Sequence, residues 1–458
     1  MNKRPLIPIV LLTLFLAVSA RAATFIVTKA ADTNDGTCDS DCSLREAVAA
    51  ANTDGEDSTV HFAPALYSQT LPVNSELVTS SADKLTVESP GSGYIWLATA
   101  GNRLFYINNP AFTLNRLSVF YGNAIGASSG YGGVIASFGS ADVTIDGVSF
   151  ASNFASIEGG LGYFNGGTLN ISNSNLNYSN SPKCGTLSLT GVTATIKNSA
   201  VVSDGSLSSD VGGICLKAGS SLSMTNVTVA KNGSSRGGGI YIENSTLVLG
   251  NTVIAGNNSH SGNYPEIWLA SGTVTSLGNN HIGDAPGDAA NTGLPIAWTA
   301  TDTLDTPPML SGDDPHGGGM TTVLPLAGSP LINSGSNALA ASAGLTTDQR
   351  GFSRVAGGTV DKGANEYGAA LPPTAAPVSI AGKVTDANGR GLPGVTITLS
   401  GQDGNARIAL TNPFGYYRFD GAASGASYTV SASARRYRFE PRVFTAGDDL
   451  LDMDFIAR

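Results

Sequence analysis

Charge is scarce in this chain. Asp, Glu, Lys and Arg together make up 13% of its 458 residues, and acids outnumber bases to leave a net charge of −10. Between residues 112 and 256 the only arginines are Arg116 and Arg236. With no basic stripe to neutralise phosphates, nucleic acid is excluded as a partner. Low charge beside 41% hydrophobic residues also argues against disorder, which favours the opposite balance. Long apolar runs are missing beyond residue 22, so the mature chain is predicted to have no membrane-spanning helix. Histidines are few, and none of His61, His260, His281 or His316 stands in a recognisable partnership with a cysteine. A thiol nucleophile at Cys42 would therefore lack its general base.

The first residues read as a secretory leader. Lys3 and Arg4 precede the uncharged apolar run Ile7 to Val18, and Ala20-Arg21-Ala22 gives an A-x-A site with cleavage expected before Ala23. Export to the extracellular space or cell surface, or to the periplasm, follows. In that setting Cys38, Cys42, Cys184 and Cys215 suggest two disulfides. Local pairing is the simplest of three connectivities, and sequence alone does not choose among them.

Glycine, by contrast, is abundant, with 57 residues, and the middle of the chain repeats. The segments LNRLSV from Leu114, IDGVSF from Ile145, ISNSNL from Ile171, IKNSAV from Ile196, MTNVTV from Met224 and LGNTVI from Leu249 recur every 25–31 residues. Their third position is Asn173, Asn198, Asn226 or Asn251 in four of six. A second column holds Gly132-Gly133, Gly159-Gly160, Gly212-Gly213 and Gly238-Gly239, with Cys184-Gly185 filling the remaining slot. Such units are too small to bury an apolar face alone, so they must stack. The pattern predicts an all-β fold, a right-handed parallel β-helix. A leucine-rich repeat would need L-x-x-L-x-L, and a β-sandwich would not keep register. Phe62 to about Leu310, at about 26 residues per turn, predicts nine or ten turns and a rod of roughly 45 Å. The Asn column is expected at corners, where Asn tolerates a left-handed backbone and its amides can bond along the axis. The paired glycines are expected where φ is positive.

Residues 23–61 are predicted to form a cap. Ser43 and Glu46 make an S-x-x-E capping box, which starts a helix at Leu44. Leu44, Ala47, Val48 and Ala51 lie on one stripe and can cover an open end of the solenoid ahead of its first strand. Cys38 and Cys42 would brace the loop before the helix. The stretch CSLREAVAAAN resembles the CSLREA domain found at the start of bacterial exported β-helix proteins. The later segments SLGNNHIGD, TATDTLDTPPML, LPLAGSPLINSG, DQRGFSR and DKGANEYG resemble a choice-of-anchor Q domain, which closes the same proteins; residues 311–371 are the closing segment. Lys362, Asn365 and Asn333 depart from that family's usual residues, and the resemblance carries over no catalytic residue.

Residues 372–377 form a Pro/Ala linker. Beyond it, 378–458 alternates apolar and polar residues between turns at Asn388-Gly389 and Gly391-Leu392-Pro393-Gly394. This stretch resembles the carboxypeptidase regulatory-like domain, and the resemblance implies a small prealbumin-like β-sandwich with no peptidase activity. Tyr416, Tyr417, Phe419, Tyr428, Tyr437 and Phe439 could present a sugar-stacking face; the plainer reading puts alternate ones in the core.

Two functional classes remain. One is a structural or adhesion-type rod, binding extracellular or cell-surface polysaccharide. The other is a polysaccharide lyase or glycoside hydrolase, which needs carboxylates converging in a groove. The acids of the repeat, Asp142, Asp146, Glu158, Asp204, Asp210 and Glu243, share no repeat column and form no D-x-D cluster. No catalytic residue is assigned, and no cofactor is required. Asp32, Asp35, Asp39 and Asp41 are dense enough to hold Ca²⁺, but Asp-Gly is equally a turn and the spaced glutamate of an EF-hand loop is missing.

Overall fold

Apolar residues of the repeat point inward and stack on their equivalents one turn away. In the first sheet Val143 and Ile145 stand beside Leu169 and Ile171, then Ala194 and Ile196, then Leu222 and Met224. All are buried. Each such side chain taken from water contributes about 1.5–3 kcal/mol, but only when the neighbouring rung is present to cover it. The computed structural model describes residues 22–80, 83–89, 95–99, 101–125, 129–202, 210–316, 320–369, 378–401, 406–422, 427–445 and 450–457. The leader (but for Ala22), the linker 372–377 and Asp204 lie outside the described residues.

The stacking yields a parallel β-helix with three sheets of ten, ten and eight strands. Each coil passes from the third sheet to the first and then to the second, as in Ile135–Phe138, Asp142–Asp146 and Ser149–Ala151. The first sheet already begins at Ala23–Val27, paired in register with Ser58–Phe62. The helix Leu44–Ala51 therefore follows the first strand in the chain and connects the first two rungs, and does not come ahead of the first strand as the sequence suggested. Ser43 Oγ accepts from the Glu46 N–H, and Glu46 Oε2 accepts from the Ser43 N–H at 2.7 Å, completing the capping box. Leu44, Ala47, Val48 and Ala51 are buried in one cluster with Val27, Val60 and Phe62. Cys38 is bonded to Cys42 and Cys184 to Cys215.

The asparagine column sits at the corner between the first and second sheets. Asn173, Asn198, Asn226, Asn251 and Asn279 all have φ between 49° and 57°. Asn198 Nδ2 donates to Asn173 Oδ1 at 2.8 Å, and Asn251 Nδ2 to Asn226 Oδ1 at 3.1 Å. The glycine pairs work differently from expectation. Gly132 and Gly159 have positive φ, but the second glycine of each pair is required for close approach: a Cβ on Gly133 would lie 2.1 Å from Gly160 O.

The ladder does not run unbroken from Asn198 to Asn226, because the closing segment enters there. Residues 311–368 return along the flank of the rod instead of capping its end. Asn226 Nδ2 donates to Asp361 O and Gly363 O, Asn198 Nδ2 to Thr347 O, Asn251 Nδ2 to Ser336 O and Asn279 Nδ2 to Ser334 O. Val323 and Ala364 cover Ala200, Val202 and Ala230 on the outside of the second sheet, and Leu331 covers Val253 and Ala255. Buried polar side chains fix the return. Arg354 is fully buried, 3.1 Å from Glu366, and donates to Asn198 Oδ1, Ala364 O, Asp361 O and Gly363 O. Lys362 Nζ donates to Asn280 O and Thr303 Oγ1, and Asn365 Nδ2 to Thr322 Oγ1 and Val323 O. Lys362 thus meets acceptors on the rod and Asn365 acceptors within the returning segment itself, which makes polar residues useful at these two positions.

The carboxyl-terminal module is a separate unit. A three-stranded sheet (Tyr416–Ala422, Val378–Thr385, Phe455–Ile456) and a four-stranded sheet (Ala406–Leu410, Thr396–Gly401, Ser427–Ser433, Arg442–Thr445) enclose Ile380, Val384, Ile397, Leu399 and Val430. Tyr417 and Phe419 are buried in that core, Tyr428 and Phe439 pack against it, and Tyr416 and Tyr437 are exposed. Alternation along the strand decides this split.

Candidate functional site on the outer face of the eight-stranded sheet

The outward positions of the third sheet form one ladder across successive coils. Tyr106 pairs with Ala136, Ala136 with Tyr163, Tyr163 with Ser188, Ser188 with Cys215, Cys215 with Tyr241, and Tyr241 with Trp268. A neighbouring column contributes Tyr131, bridged to Glu158, and Cys184, bridged to Val211. At about 4.8 Å per strand, Tyr163 and Tyr241 stand roughly 14 Å apart, with the Cys184–Cys215 bridge between them.

Aromatic rings gather at both ends of this stretch. Tyr163 lies 4.5 Å from Tyr131 and 5.2 Å from Phe138, which stacks on Tyr106 at 5.7 Å. At the other end Trp268 lies 4.7 Å from Tyr241 and is stacked on Tyr264 at 5.4 Å with an interplanar angle of 10°. The Arg236 guanidinium sits 5.9 Å from the Trp268 ring. All seven residues are half-buried.

Charge lies between the two aromatic groups. Glu158 is nearly buried, paired with Lys217 from two coils further on, and accepts from Ser188 Oγ at 2.6 Å. Lys183, Asp210, Lys217, Arg236, Tyr241, Glu243 and Trp268 line a groove of about 240 Å³ over the disulfide. Burial, and then the nearby Glu158, pushes the Tyr163 phenol up; burial, and then Glu243, does the same to Tyr241. Both remain neutral hydrogen-bonding groups at physiological pH.

The repeat acids thus divide. Glu158, Asp210 and Glu243 come to this face through stacking that sequence spacing hid, because each enters from a different part of its coil. Asp142 and Asp146 stay on the first sheet, accepting from Thr168 Oγ1 and from Ser172 Oγ and Asn173 Nδ2. Sequence reasoning missed the aromatic ladder. Part of its signal was present, since Tyr163 lies three residues after Gly160 and Tyr241 two after Gly239; Trp268 follows no glycine pair.

The aspartates near the cap have protein partners. Asp32 forms a two-pronged contact with Arg45, both bonds 2.9 Å, and accepts from the Asn74 N–H. Asp41 pairs with Lys29, Asp39 accepts from the Asp41 N–H, and Asp35 from the Thr37 N–H. Glu46 is buried, which works to raise its pKa, but N–H groups of Ser43 and Asp35 and the nearby Lys29 hold it below the usual carboxylate value. His281 is buried and pushed down to about 4, so it is neutral.

Residues 379–455 match the family model of the carboxypeptidase regulatory-like domain. Among solved structures, the crystal structure of pectate lyase Pel9A is similar at 15% identity and a TM-score of 0.37, over 76% of this chain and 98% of that chain. Comparison with curated proteins gives no match. Among the described residues no helix is long and apolar enough to cross a membrane.

Proposed function

We propose that this chain is an exported rod that binds an extended polysaccharide along the outer face of its eight-stranded sheet, as an adhesion-type protein of the cell surface or extracellular space. The observation that carries the reading is the aromatic ladder, with Tyr241 and Trp268 lining a charged groove and Tyr163 on the same outward column of the sheet. A sugar ring has an apolar C–H face that stacks on such rings, and its hydroxyls accept and donate hydrogen bonds to the groups between them. The repeat of the rod matches a repeating ligand. Glu158 is occupied by Lys217 and Ser188, which favours binding over acid catalysis by that carboxyl.

A second reading, cleavage of an acidic polysaccharide, is supported by the gathering of Asp210, Glu243, Lys183, Lys217 and Arg236 in one groove. One experiment tests both. The purified full chain is titrated calorimetrically with a panel of neutral and uronate glycans, and the mixtures are assayed for unsaturated or reducing ends. Binding that falls at least about tenfold in Trp268→Ala and Tyr163→Ala supports the proposal. Failure of the wild-type chain to bind any glycan, or binding indifferent to both substitutions, overturns it. New chain ends that disappear in Lys217→Ala establish the second reading.

A further inference from the structure

A separate cluster of carboxylates lies at the far end of the rod. Glu266 precedes the strand Ile267–Leu269, while Asp284 and Asp288 flank the turn Ala285-Pro286-Gly287 that follows the strand His281–Ile282. One carboxylate oxygen from each of the three lies within 4.8 Å of the other two. Two ligands on opposite sides of a Ca²⁺ ion, each at about 2.4 Å, are about 4.8 Å apart, so the spread fits a shared ion.

A second observation points to a ligand. Glu266 is fully buried, and its Oε2 accepts from Asn257 Nδ2 at 2.5 Å. Its Oε1 is also buried and has no hydrogen-bond partner. A buried carboxylate oxygen left unpaired is costly, and natural proteins seldom tolerate one. Among the described residues no Lys or Arg forms an ion pair with any of the three acids. Asp284 and Asp288 are half-buried, which leaves an entry from solvent. The turn is pre-organised, since Asp288 Oδ2 accepts from the N–H groups of Asp284 and Ala285.

We propose that Glu266, Asp284 and Asp288 form a calcium site, with Glu266 Oε1 as its innermost ligand. Oxygen-only donors of this charge suit a hard divalent cation, and the lack of His or Cys among them excludes a zinc-type set. Water and carbonyl oxygens would complete the shell. The site is independent of the glycan face and does not rest on it.

The full chain, stripped with EDTA, is titrated with CaCl₂ by isothermal calorimetry at pH 7, with thermal melting in parallel. The expected result is one saturable site and a melting point that climbs with calcium concentration. Asp284→Asn should weaken binding by at least about tenfold, because affinity follows the number of ligand charges. Glu266→Gln should abolish it. Asp284 is half-buried, so its variant keeps the test open even if Glu266→Gln fails to fold, which circular dichroism would report. No calcium uptake at millimolar concentration by the wild-type chain overturns the proposal. So does binding of unchanged affinity in Asp284→Asn, which would assign the ion to other acids.

Discussion

Replacing Arg354 with Met should release the return segment from the rod. The guanidinium is wholly buried beside Glu366 and supplies bonds to Asn198 Oδ1 and to three carbonyls, those of Ala364, Asp361 and Gly363, at 2.6–3.1 Å. Methionine fills much of the volume but restores none of these bonds. Breaking one partner of a buried pair typically costs about 3–5 kcal/mol, and the carbonyls keep other donors, Asn226 Nδ2 for Asp361 and Gly363 and the Gln349 N–H for Ala364, which holds the loss at the lower part of that range. Glu366 softens it. Asp348, Asp361 and Glu366 gather near Arg354, and burial pushes Glu366 up to about 8, so it takes a proton readily. The loss should be local, because the rod keeps its own stacked core while the segment is held by side chains on its flank. Limited proteolysis with mass spectrometry should find new cuts within residues 311–368 and continued protection of the strands of the three sheets. Pulsed hydrogen exchange should show the same boundary. Destabilisation below about 1 kcal/mol, or cuts spread evenly through the rod, would refute the assignment of Arg354 as the lock.

Other outcomes follow from the same geometry. Asn226→Ala should cost about 1–2 kcal/mol more than Asn226→Gly in urea melts, since both lose the amide bonds but only Ala is strained at φ 54°. Removing the Cys184–Cys215 bridge as a double Ser variant should cost about 3–4 kcal/mol, from the chain entropy of a loop closed over 31 residues; an unchanged melt would show that the stacked rungs alone fix that loop. Two buried acids should give opposite pH dependences. Glu46 is held below its unfolded value, so the stability it lends the cap is present above about 4.5 and is lost as pH falls. Glu366 is held above its unfolded value, so its contribution is complete below about 4.5 and is lost as pH rises through about 8. Protection of the cap against proteolysis should therefore fail first in acid, and that of residues 311–368 first in mild alkali.

Much of this was legible in the residues themselves. The 25–31-residue spacing fixed which apolar side chains stack, because a parallel β-helix converts one repeat into one rung. Ser43 and Glu46 are local partners three residues apart, so the capping box needed no tertiary information. Asn173, Asn198, Asn226 and Asn251 announced a left-handed corner through the chemistry of one short amide. What they bond to outside the ladder was decided only in three dimensions: Asn226 meets Asp361 and Gly363 across more than 130 residues, and no periodicity encodes where a return segment will lie. The aromatic face and the Glu266 cluster belong to the same class. Their members come from connections of unequal length, so they share no column in the sequence. Register in the sheets, and not spacing along the chain, brings them within reach of one another.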